Sequence, residues 1–216
     1  MGNIIVTGSS KGIGKAISSE WCKRGNENFY YAISRWNCFD VTDFVAINQV
    51  INNFYDEDVK DGKFPLALVN NAAIIETGTI LEIDYNSWVN QFNTNVHGVF
   101  NCAKSYIQLC ISKKQPGKII NIASTAGLGA RPGRSAYAAT KAAIINFSLS
   151  LAEELKPYNI KVYCVCPGAV DTDMRHYIAP DDDFESMMKP GEIGKFVCDL
   201  IEDGKYLDNQ ILIVKK

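Results

Sequence analysis

Six short, continuous apolar runs alternate along the chain with longer segments of helical periodicity. The apolar runs are residues 3–7, 28–33, 65–69, 117–123, 160–166 and 210–214. The helical segments are residues 12–24, 43–57, 86–112, 135–156 and 190–203. This alternation predicts a parallel sheet with helices on both faces, and strands that are apolar throughout fit burial on both sides. The sequence therefore predicts an α/β fold with a doubly wound parallel sheet.

Length and charge exclude several other classes of protein. The 216 residues contain no internal repeat or Pro/Ser linker, so residues 1–216 are predicted to form a single domain. A net charge of −2 gives no support for a nucleic-acid surface or a polybasic membrane anchor. No signal-like segment and no apolar run of roughly 20 residues is visible. We therefore expect a cytoplasmic protein that binds neither nucleic acid nor membrane.

The seven cysteines predict neither disulfides nor a metal site. They are an odd number, no pair of CxxC motifs occurs, and two histidines are too few to complete a metal site. We expect reduced cysteines that act as small core hydrophobes. Cys164 and Cys166 alternate within one apolar run, which predicts that both lie on one face of a strand.

The segment after the second strand is unusually short. Only four residues separate Arg35 from Asp40, where the next helical segment opens. A parallel crossover between adjacent strands needs about a dozen residues or more. We therefore predict no helix between the second strand and Asp40, and a shortened or absent third strand.

A glycine-rich turn joins the first strand to the first helix. It reads Thr7-Gly8-Ser9-Ser10-Lys11-Gly12-Ile13-Gly14. Such a turn lets the backbone approach a pyrophosphate, and the helix N-terminus supplies free N–H groups. The alternative is a glycine turn needed only for tight packing. The turn predicts a dinucleotide site in a Rossmann-type fold, with Gly8, Ser9, Ser10, Lys11, Gly12, Ile13 and Gly14 as candidate contacts.

Further segments follow in an order that is typical of one family. Asn70-Asn71-Ala72-Ala73 follows the third apolar run, and Asn95 lies in NTNVHG. Ser124 ends the run IINIAS, and Tyr137 and Lys141 form YAATK thirteen residues later. Pro167-Gly168 follows the fifth run, with Thr172 close behind. From about residue 3 to residue 172, the sequence resembles the short-chain dehydrogenase/reductase family, which implies an enzyme that moves a hydride between a nicotinamide cofactor and a carbonyl or alcohol.

Tyr137 and Lys141 are the candidate proton-transfer pair. At positions i and i+4 of a helix they share one face, and a nearby ammonium is expected to lower the tyrosine pKa from about 10. The resemblance implies that Lys141 also binds the nicotinamide ribose, that Ser124 stabilises the substrate oxygen, and that Asn95 holds a water linking Lys141 to solvent. Taken singly, a YxxxK pair can arise by chance, Ser124 can be a helix cap, and Asn95 can bend a helix.

The resemblance also implies cofactor contacts beyond the glycine turn. These are Asp40, Val41, Asn71, Ala72, Tyr137, Lys141, Pro167, Gly168, Val170 and Thr172. The expected partner of Asp40 and Val41 is the adenine ring. Asp40 has an alternative interpretation as the N-cap of helix 43–57.

The cofactor is predicted to be NADP(H), with NAD as second choice. An enzyme that prefers NAD typically places an acidic residue at the end of the second strand, whereas this sequence has Ser34-Arg35 there. Arg35 and Lys11 would suit a 2′-phosphate. The alternative is that both are solvated surface charges.

The substrate stays open at this point between a ketoacyl thioester, a small carbonyl compound and a sugar-like alcohol. A short lid from Asp171 to Lys189 contains three consecutive aspartates, an arrangement more often found in solvated loops. Candidate pocket residues are Ile75, Glu76, Arg131, Arg134 and Met174. We expect a homodimer or a homotetramer. The alternatives in function are an NADP(H)-binding regulatory or scaffold protein and a related enzyme doing non-redox work on nucleotide-sugars.

Overall fold

The computed structural model describes residues 3–25, 30–33, 39–58, 65–203 and 211–216. Within these residues a single six-stranded sheet forms the centre of the protein. The strands are β1 (Asn3–Thr7), β2 (Tyr30–Ile33), β3 (Pro65–Asn70), β4 (Gly117–Ile122), β5 (Ile160–Pro167) and β6 (Ile211–Val214). All of the pairings between them are parallel, in the order β2-β1-β3-β4-β5-β6. The predicted parallel α/β fold is confirmed.

The strand order places a crevice beside β1. The chain leaves β1 for β2 on one side and then returns to pair β3 with the other side of β1. The direction of winding reverses between β1 and β3. In open parallel sheets, ligands bind at such a switch point, outside the carboxyl ends of the strands. The sheet topology therefore positions the end of β1 and the end of β3 at one site.

The predicted helices lie close to their expected bounds, with one correction, and the short helix Asp173–Ile178 in the lid was not predicted. They are α1 (Gly12–Lys23), α2 (Phe44–Asp58), α3 (Tyr85–Phe92), α4 (Gly98–Lys113), α5 (Ser135–Leu155), α6 (Asp173–Ile178) and α7 (Pro190–Asp203). The single helix predicted over 86–112 is instead α3 and α4, separated by a π-helix at Asn93–His97. Side chains that bond outside the helical ladder favour such an interruption, and Asn95 bonds a loop here.

Two apolar layers cover the sheet, one on each face. In β1, Ile5 packs on the side of α2 and α4, whereas Ile4 and Val6 pack on the side of α1 and α7. All three side chains are fully buried. Trp21 of α1 is the largest fully buried side chain among the described residues. Because successive strand residues point to opposite faces, burial of the whole run requires a layer on each side, as a doubly wound fold provides.

The segment between β2 and α2 is described only from Phe39 onward. The predicted absence of a helix over 34–38 lies outside the described residues, and in the described part β2 is the edge strand. Asp43, not Asp40, caps α2, since its Oδ1 accepts from Ala46 N at 3.0 Å. The N-cap interpretation of Asp40 is therefore wrong.

The described cysteines are free thiols. Five of the six are buried and Cys22 is partly exposed, as expected for core hydrophobes. The Sγ atoms of Cys164 and Cys166 lie 4.0 Å apart on β5, so the two share a face as predicted. Among the described helices, none combines the length and the apolar character needed to cross a bilayer.

Candidate active site

A cleft of about 820 Å³ opens at the carboxyl edge of the sheet. Most of the predicted site residues line it: Gly8, Ser10, Lys11, Gly12, Ile13, Asp40, Val41, Asn71, Ala72, Ser124, Tyr137, Lys141, Pro167, Gly168, Val170 and Thr172. Ser9, Gly14 and Asn95 are buried and do not line the cleft. Arg35 lies outside the described residues. The glycine turn and the Tyr–Lys pair therefore share one cavity.

The glycine turn is shaped so that a phosphate could approach its backbone. Gly8 and Gly12 have φ values of +65° and +56°, which favour glycine. A Cβ on Gly14 would lie 2.3 Å from Gly8 O, so Gly14 acts through close packing. Lys11 precedes α1 without a side-chain cap, and the first turn of α1 carries no acidic residue. Free amides at a helix N-terminus are the partners that a pyrophosphate needs, so these residues fit a dinucleotide.

Asn71 and Thr7 hold the glycine turn against the end of β3. Asn71 Nδ2 donates to Thr7 O at 3.0 Å and to Gly8 O at 3.1 Å. The backbone N–H groups of Asn71 and Ala72 donate to Thr7 Oγ1 at 2.9 and 3.0 Å. Thr7 was not among the site residues predicted from the sequence, although its position at the end of the first apolar run was evident there. These contacts show a positioning role for both side chains.

Asp40 and Val41 form one wall of the cleft. Asp40 Oδ1 accepts from Thr42 N at 2.9 Å and fixes the local turn. Asn101 of α4 donates to Val41 O at 2.9 Å, and a Cβ on Gly98 would lie 2.5 Å from Val41 Cγ2. Val41 is thus packed closely against α4, which fixes the position of this wall.

Ser124 and Tyr137 meet at the other end of the cleft. Ser124 follows β4 and caps the short 3₁₀-helix Thr125–Leu128, where its Oγ accepts from Ala126 N at 3.1 Å. Its side chain is also near enough to the Tyr137 hydroxyl to act on the pKa of that group. A Cβ on Gly127 would lie 2.6 Å from Lys141 C, so glycine is needed where this turn approaches α5. The two hydroxyl groups are therefore close enough to bind one substrate oxygen.

The expected lowering of the Tyr137 pKa is not found. Burial raises the pKa of Tyr137 to about 12, and the Ser124 hydrogen bond and the Arg134 charge only partly oppose it. The Lys141 ammonium does not reach the phenol, because its Nζ donates to Ile122 O at 2.8 Å and lies 5.6 Å from the ring centroid. Tyr137 is accordingly a protonated group at neutral pH.

Lys141 is a buried cation. Lys141 is only 4% exposed, and burial lowers the pKa of its ammonium group to about 8. Cys164 and Cys166 act in the opposite direction and raise this pKa. At neutral pH the ammonium form still predominates. In the described part of the chain, no group of three or more His, Cys, Asp or Glu side chains is placed to hold a metal ion.

Asn95 connects the loop after β3 to the helix that carries Tyr137. Its Nδ2 donates to Ile74 O at 2.9 Å and its Oδ1 accepts from Ile74 N at 2.8 Å. The same Nδ2 donates to Thr140 Oγ1 at 3.1 Å, and Thr140 Oγ1 donates to Tyr137 O at 2.7 Å. These contacts make Asn95 a positioning residue, while its expected hold on a water stays a prediction. Thr140 was missed, although it lies within YAATK.

Four of the five candidate pocket residues line the cleft, namely Ile75, Arg131, Arg134 and Met174. Glu76 does not, although its carbonyl accepts from Gln91 Nε2 at 3.4 Å. Asp181 and Asp183 of the lid are exposed, as expected of a solvated loop, whereas Asp182 is partly buried. Asp182 pairs with Arg175, and Asp183 caps the 3₁₀-helix Phe184–Ser186.

A parallel sheet that brings a glycine turn and a Tyr–Lys pair into one cleft at its switch point defines a nicotinamide-dependent oxidoreductase. The family model of the short chain dehydrogenases matches residues 2–183. The protein belongs to the short-chain dehydrogenase family, and its enzyme class is that of a dehydrogenase/reductase.

Curated relatives and solved structures agree with this assignment. The 3-oxoacyl-[acyl-carrier-protein] reductase FabG of Chlamydia trachomatis is 31% identical, over 97% of this chain and 94% of its own. FabG of Escherichia coli K12 is 34% identical over 82% of this chain and 77% of its own. Ligand-free Thermoplasma acidophilum aldohexose dehydrogenase has a TM-score of 0.83 and 26% identity, covering 99% of this chain and 92% of its own. ElxO with NADP bound has a TM-score of 0.83 and 25% identity, covering 99% and 96%.

Proposed function

We propose that the protein transfers a hydride between NADP(H) and a carbonyl or secondary alcohol, with Tyr137 as the proton donor or acceptor. One observation carries the proposal: the glycine turn, Ser124, Tyr137 and Lys141 line one cleft of about 820 Å³. The bound nicotinamide supplies or accepts the hydride, and the protein supplies orientation and proton transfer.

Tyr137 is suited to donate a proton during carbonyl reduction. With a pKa raised to about 12 by burial, its hydroxyl is protonated across the physiological range. As the carbonyl carbon gains the hydride, its oxygen gains charge and takes the proton of Tyr137, which leaves tyrosinate. Ser124, whose side chain lies beside the Tyr137 hydroxyl, can donate to the same oxygen and stabilise its charge.

Lys141 and Asn95 support this step. The Lys141 ammonium lies on the Tyr137 side of the cleft and favours the transient tyrosinate by its charge. The family resemblance also implies that Lys141 binds the ribose hydroxyls of the nicotinamide cofactor. Asn95 and Thr140 fix the helical turn from which Tyr137 projects.

Lys11 supports NADP(H) as the cofactor. Its side chain lines the cleft at the start of α1 and forms no ion pair with a carboxylate of the described residues. ElxO, a structural relative, has been solved with NADP bound. The matching role of Arg35, which the structure does not describe, stays a prediction, and NAD stays the second choice.

The names of the relatives cover two of the substrate classes proposed from the sequence. FabG proteins are named for 3-oxoacyl groups, and the Thermoplasma relative is named for aldohexoses. A ketoacyl thioester, a sugar-like alcohol and a small carbonyl compound are therefore the proposed range.

The proposal includes self-association through α4 and α5. Phe100, Ile111 and Leu149 are 46%, 41% and 40% exposed on these helices. Covering such side chains with a second copy would remove apolar surface from water. A homodimer is the smaller assembly that does this, and a homotetramer would need a second interface. The cytoplasmic location predicted from the sequence stays a prediction.

Replacing Tyr137 with Phe tests the function. We expect at least about a hundredfold loss in the rate of NADPH oxidation with a panel of ketoacyl thioesters, diketones, sugars and steroids, because the proton donor is removed. NADPH affinity should change little. A Tyr-to-Phe variant of ElxO has been solved with NADPH bound, which supports this expectation.

Tyr158→Phe is the matched control. Tyr158 is 50% exposed beyond the far end of α5, so its variant should keep wild-type rates. Activity of Tyr137→Phe within a few-fold of wild type would contradict the role of the phenol. NADPH binding without reduction of any carbonyl compound by the wild type would favour the regulatory or scaffold alternative.

A further inference from the structure

The arginines of the described chain fall into two kinds. Arg24 lies among three carboxylates, with N–O distances of 3.0 Å to Glu20, 2.8 Å to Asp199 and 2.7 Å to Glu202. Arg175 pairs with Asp182. Arg131 and Arg134 line the cleft, and neither forms an ion pair with any described carboxylate. Two positive charges therefore face the cleft without an anionic partner from the described residues.

Arg131 is held in place by neutral groups. Its guanidinium donates to Ala130 O at 2.9 Å and to Thr125 O at 3.1 Å. A guanidinium has five N–H donors, so these two bonds orient the fork and leave donors for a ligand. Its charge is not compensated by carbonyl oxygens. Arg131 is thus oriented without being neutralised.

Arg134 occupies a position that local helix energetics disfavour. It is the residue before α5, where Ser, Thr, Asp or Asn normally caps the helix, and it makes no side-chain cap bond. A cation there also faces the positive end of the helix. A residue that breaks a local rule without a structural gain is typical of a functional site. An anionic ligand in the cleft would supply such a gain.

Both arginines lie beside the reacting groups. Arg134 N donates to Arg131 O at 3.0 Å, which closes the turn, and Gly78 N donates to Gly133 O at 2.8 Å, which anchors it. Tyr137 lies about one helical turn further along α5 and lines the same cleft. The charge of Arg134 acts on the Tyr137 hydroxyl, where it opposes the larger influence of burial on the pKa. Arg134 is therefore within electrostatic reach of the phenol.

Resting on the proposed function, we propose that the substrate carries an anionic group, a carboxylate or a phosphate, that binds to Arg134 and Arg131 while its carbonyl oxygen meets Tyr137 and Ser124. The planar fork of arginine matches both anions and can bind either one with two parallel hydrogen bonds. Ile75 and Met174, which also line the cleft, offer apolar contact to the carbon chain between the two polar ends.

Binding to the full-length protein loaded with NADP⁺ tests the inference without turnover. The probes are two matched pairs, acetoacetate with ethyl acetoacetate, and dihydroxyacetone phosphate with dihydroxyacetone. Titration calorimetry on wild type should give at least a tenfold lower Kd for one anionic probe than for its neutral partner. Which pair shows the preference tells carboxylate from phosphate. Arg134→Gln should reduce that ratio about tenfold or more, which is the affinity that a charged hydrogen bond contributes. Arg134→Lys should restore part of it.

Lys156→Gln is the charge-matched control. Lys156 lies just beyond the other end of α5 and pairs with Glu153, so its loss should leave the ratio unchanged. The proposal is overturned by equal affinity for both members of each pair in the wild type, by absence of binding for both anions, or by an unchanged ratio in Arg134→Gln. A matching loss of NADP⁺ affinity in Arg134→Gln would place the arginine on the cofactor and also overturn it. Failure of the proposed function would give a different result. None of the carbonyl compounds would then support NADPH oxidation by the wild type, while anion binding persisted.

Discussion

The two ends of the cleft are built by different means. At the glycine turn, the contacts that matter end on backbone atoms, as where the Asn71 side chain donates from Nδ2 to Thr7 O and Gly8 O. At the Tyr137 end, the contacts join side chains whose properties depend on burial and charge, as with Tyr137 and Arg134. The glycine end is therefore sensitive to added atoms, and the tyrosine end is sensitive to changes in charge and protonation.

Gly14→Ala should give the largest effect. A variant without any effect would contradict the sensitivity of the glycine end to added atoms. The new Cβ would lie 2.3 Å from Gly8 O and 2.4 Å from Asn71 Nδ2, so the turn must move. We expect at least about a hundredfold loss in NADPH affinity, or a lower melting temperature if the shift spreads, because packed interiors do not absorb such overlap. Gly191→Ala is the control, since a Cβ there meets no atom within 4 Å. Unchanged affinity and melting temperature in Gly14→Ala would contradict the prediction.

The pH dependence of alcohol oxidation sharpens the account of the tyrosine end. The reactive form pairs tyrosinate with the Lys141 ammonium, one proton fewer than the resting pair. With pKa values of about 12 for Tyr137 and about 8 for Lys141, the first proton leaves the pair near pH 8. The oxidation rate should therefore rise about tenfold per pH unit below pH 8 and level off above it.

Carbonyl reduction should vary only a few-fold between pH 6 and pH 8, because the phenol stays protonated. Initial rates in both directions with one alcohol–ketone pair provide the measurement. An oxidation rate independent of pH below 8 would argue against tyrosinate as the base.

Lys11→Gln should give the smallest effect, confined to cofactor choice. Lys11 is exposed at the mouth of the cleft, so the contact with a 2′-phosphate is screened by solvent. We expect the preference in kcat/KM for NADPH over NADH to fall about tenfold, the lower end for a charged hydrogen bond. Lys15→Gln removes a charge of α1 that is also exposed but does not line the cleft, and it should leave the ratio unchanged. Equal shifts in both variants would indicate only a general change in charge.

The elements of the fold were predictable from the sequence because their signals are local. The apolar run at Asn3–Thr7 and the glycines that follow it carry enough information to place β1, the turn and the start of α1. Asp43 shows the limit of this reasoning, since the sequence suggested Asp40, three residues earlier, as the alternative cap. Only the folded chain shows that Asp43 bonds the first turn of α2 while Asp40 faces the cleft.

The parts of the site that were not predicted depend on contacts between distant segments. Asn95 interrupts a helix because its partner Ile74 lies 21 residues away, and no local pattern indicates this contact. The Tyr137 pKa was expected to fall because Lys141 is near in sequence, but burial in the folded protein outweighs that proximity. Arg134 was visible as a candidate, yet its lack of an anionic partner among the described residues appears only in the structure.

The π-helix at Asn93–His97 acts as a phase shift between α3 and α4. A wider turn takes up about one extra residue, which rotates everything after it by about 100° around the helix axis. That one residue sets the relative orientation of two buried faces. One is the face of α3 that carries Gln91, and the other is the face of α4 that carries Cys102 and Tyr106. Loss of a single residue there would realign the two faces along a continuous helix and turn Asn95 away from Ile74. In this segment the number of residues is therefore as constrained as their identity.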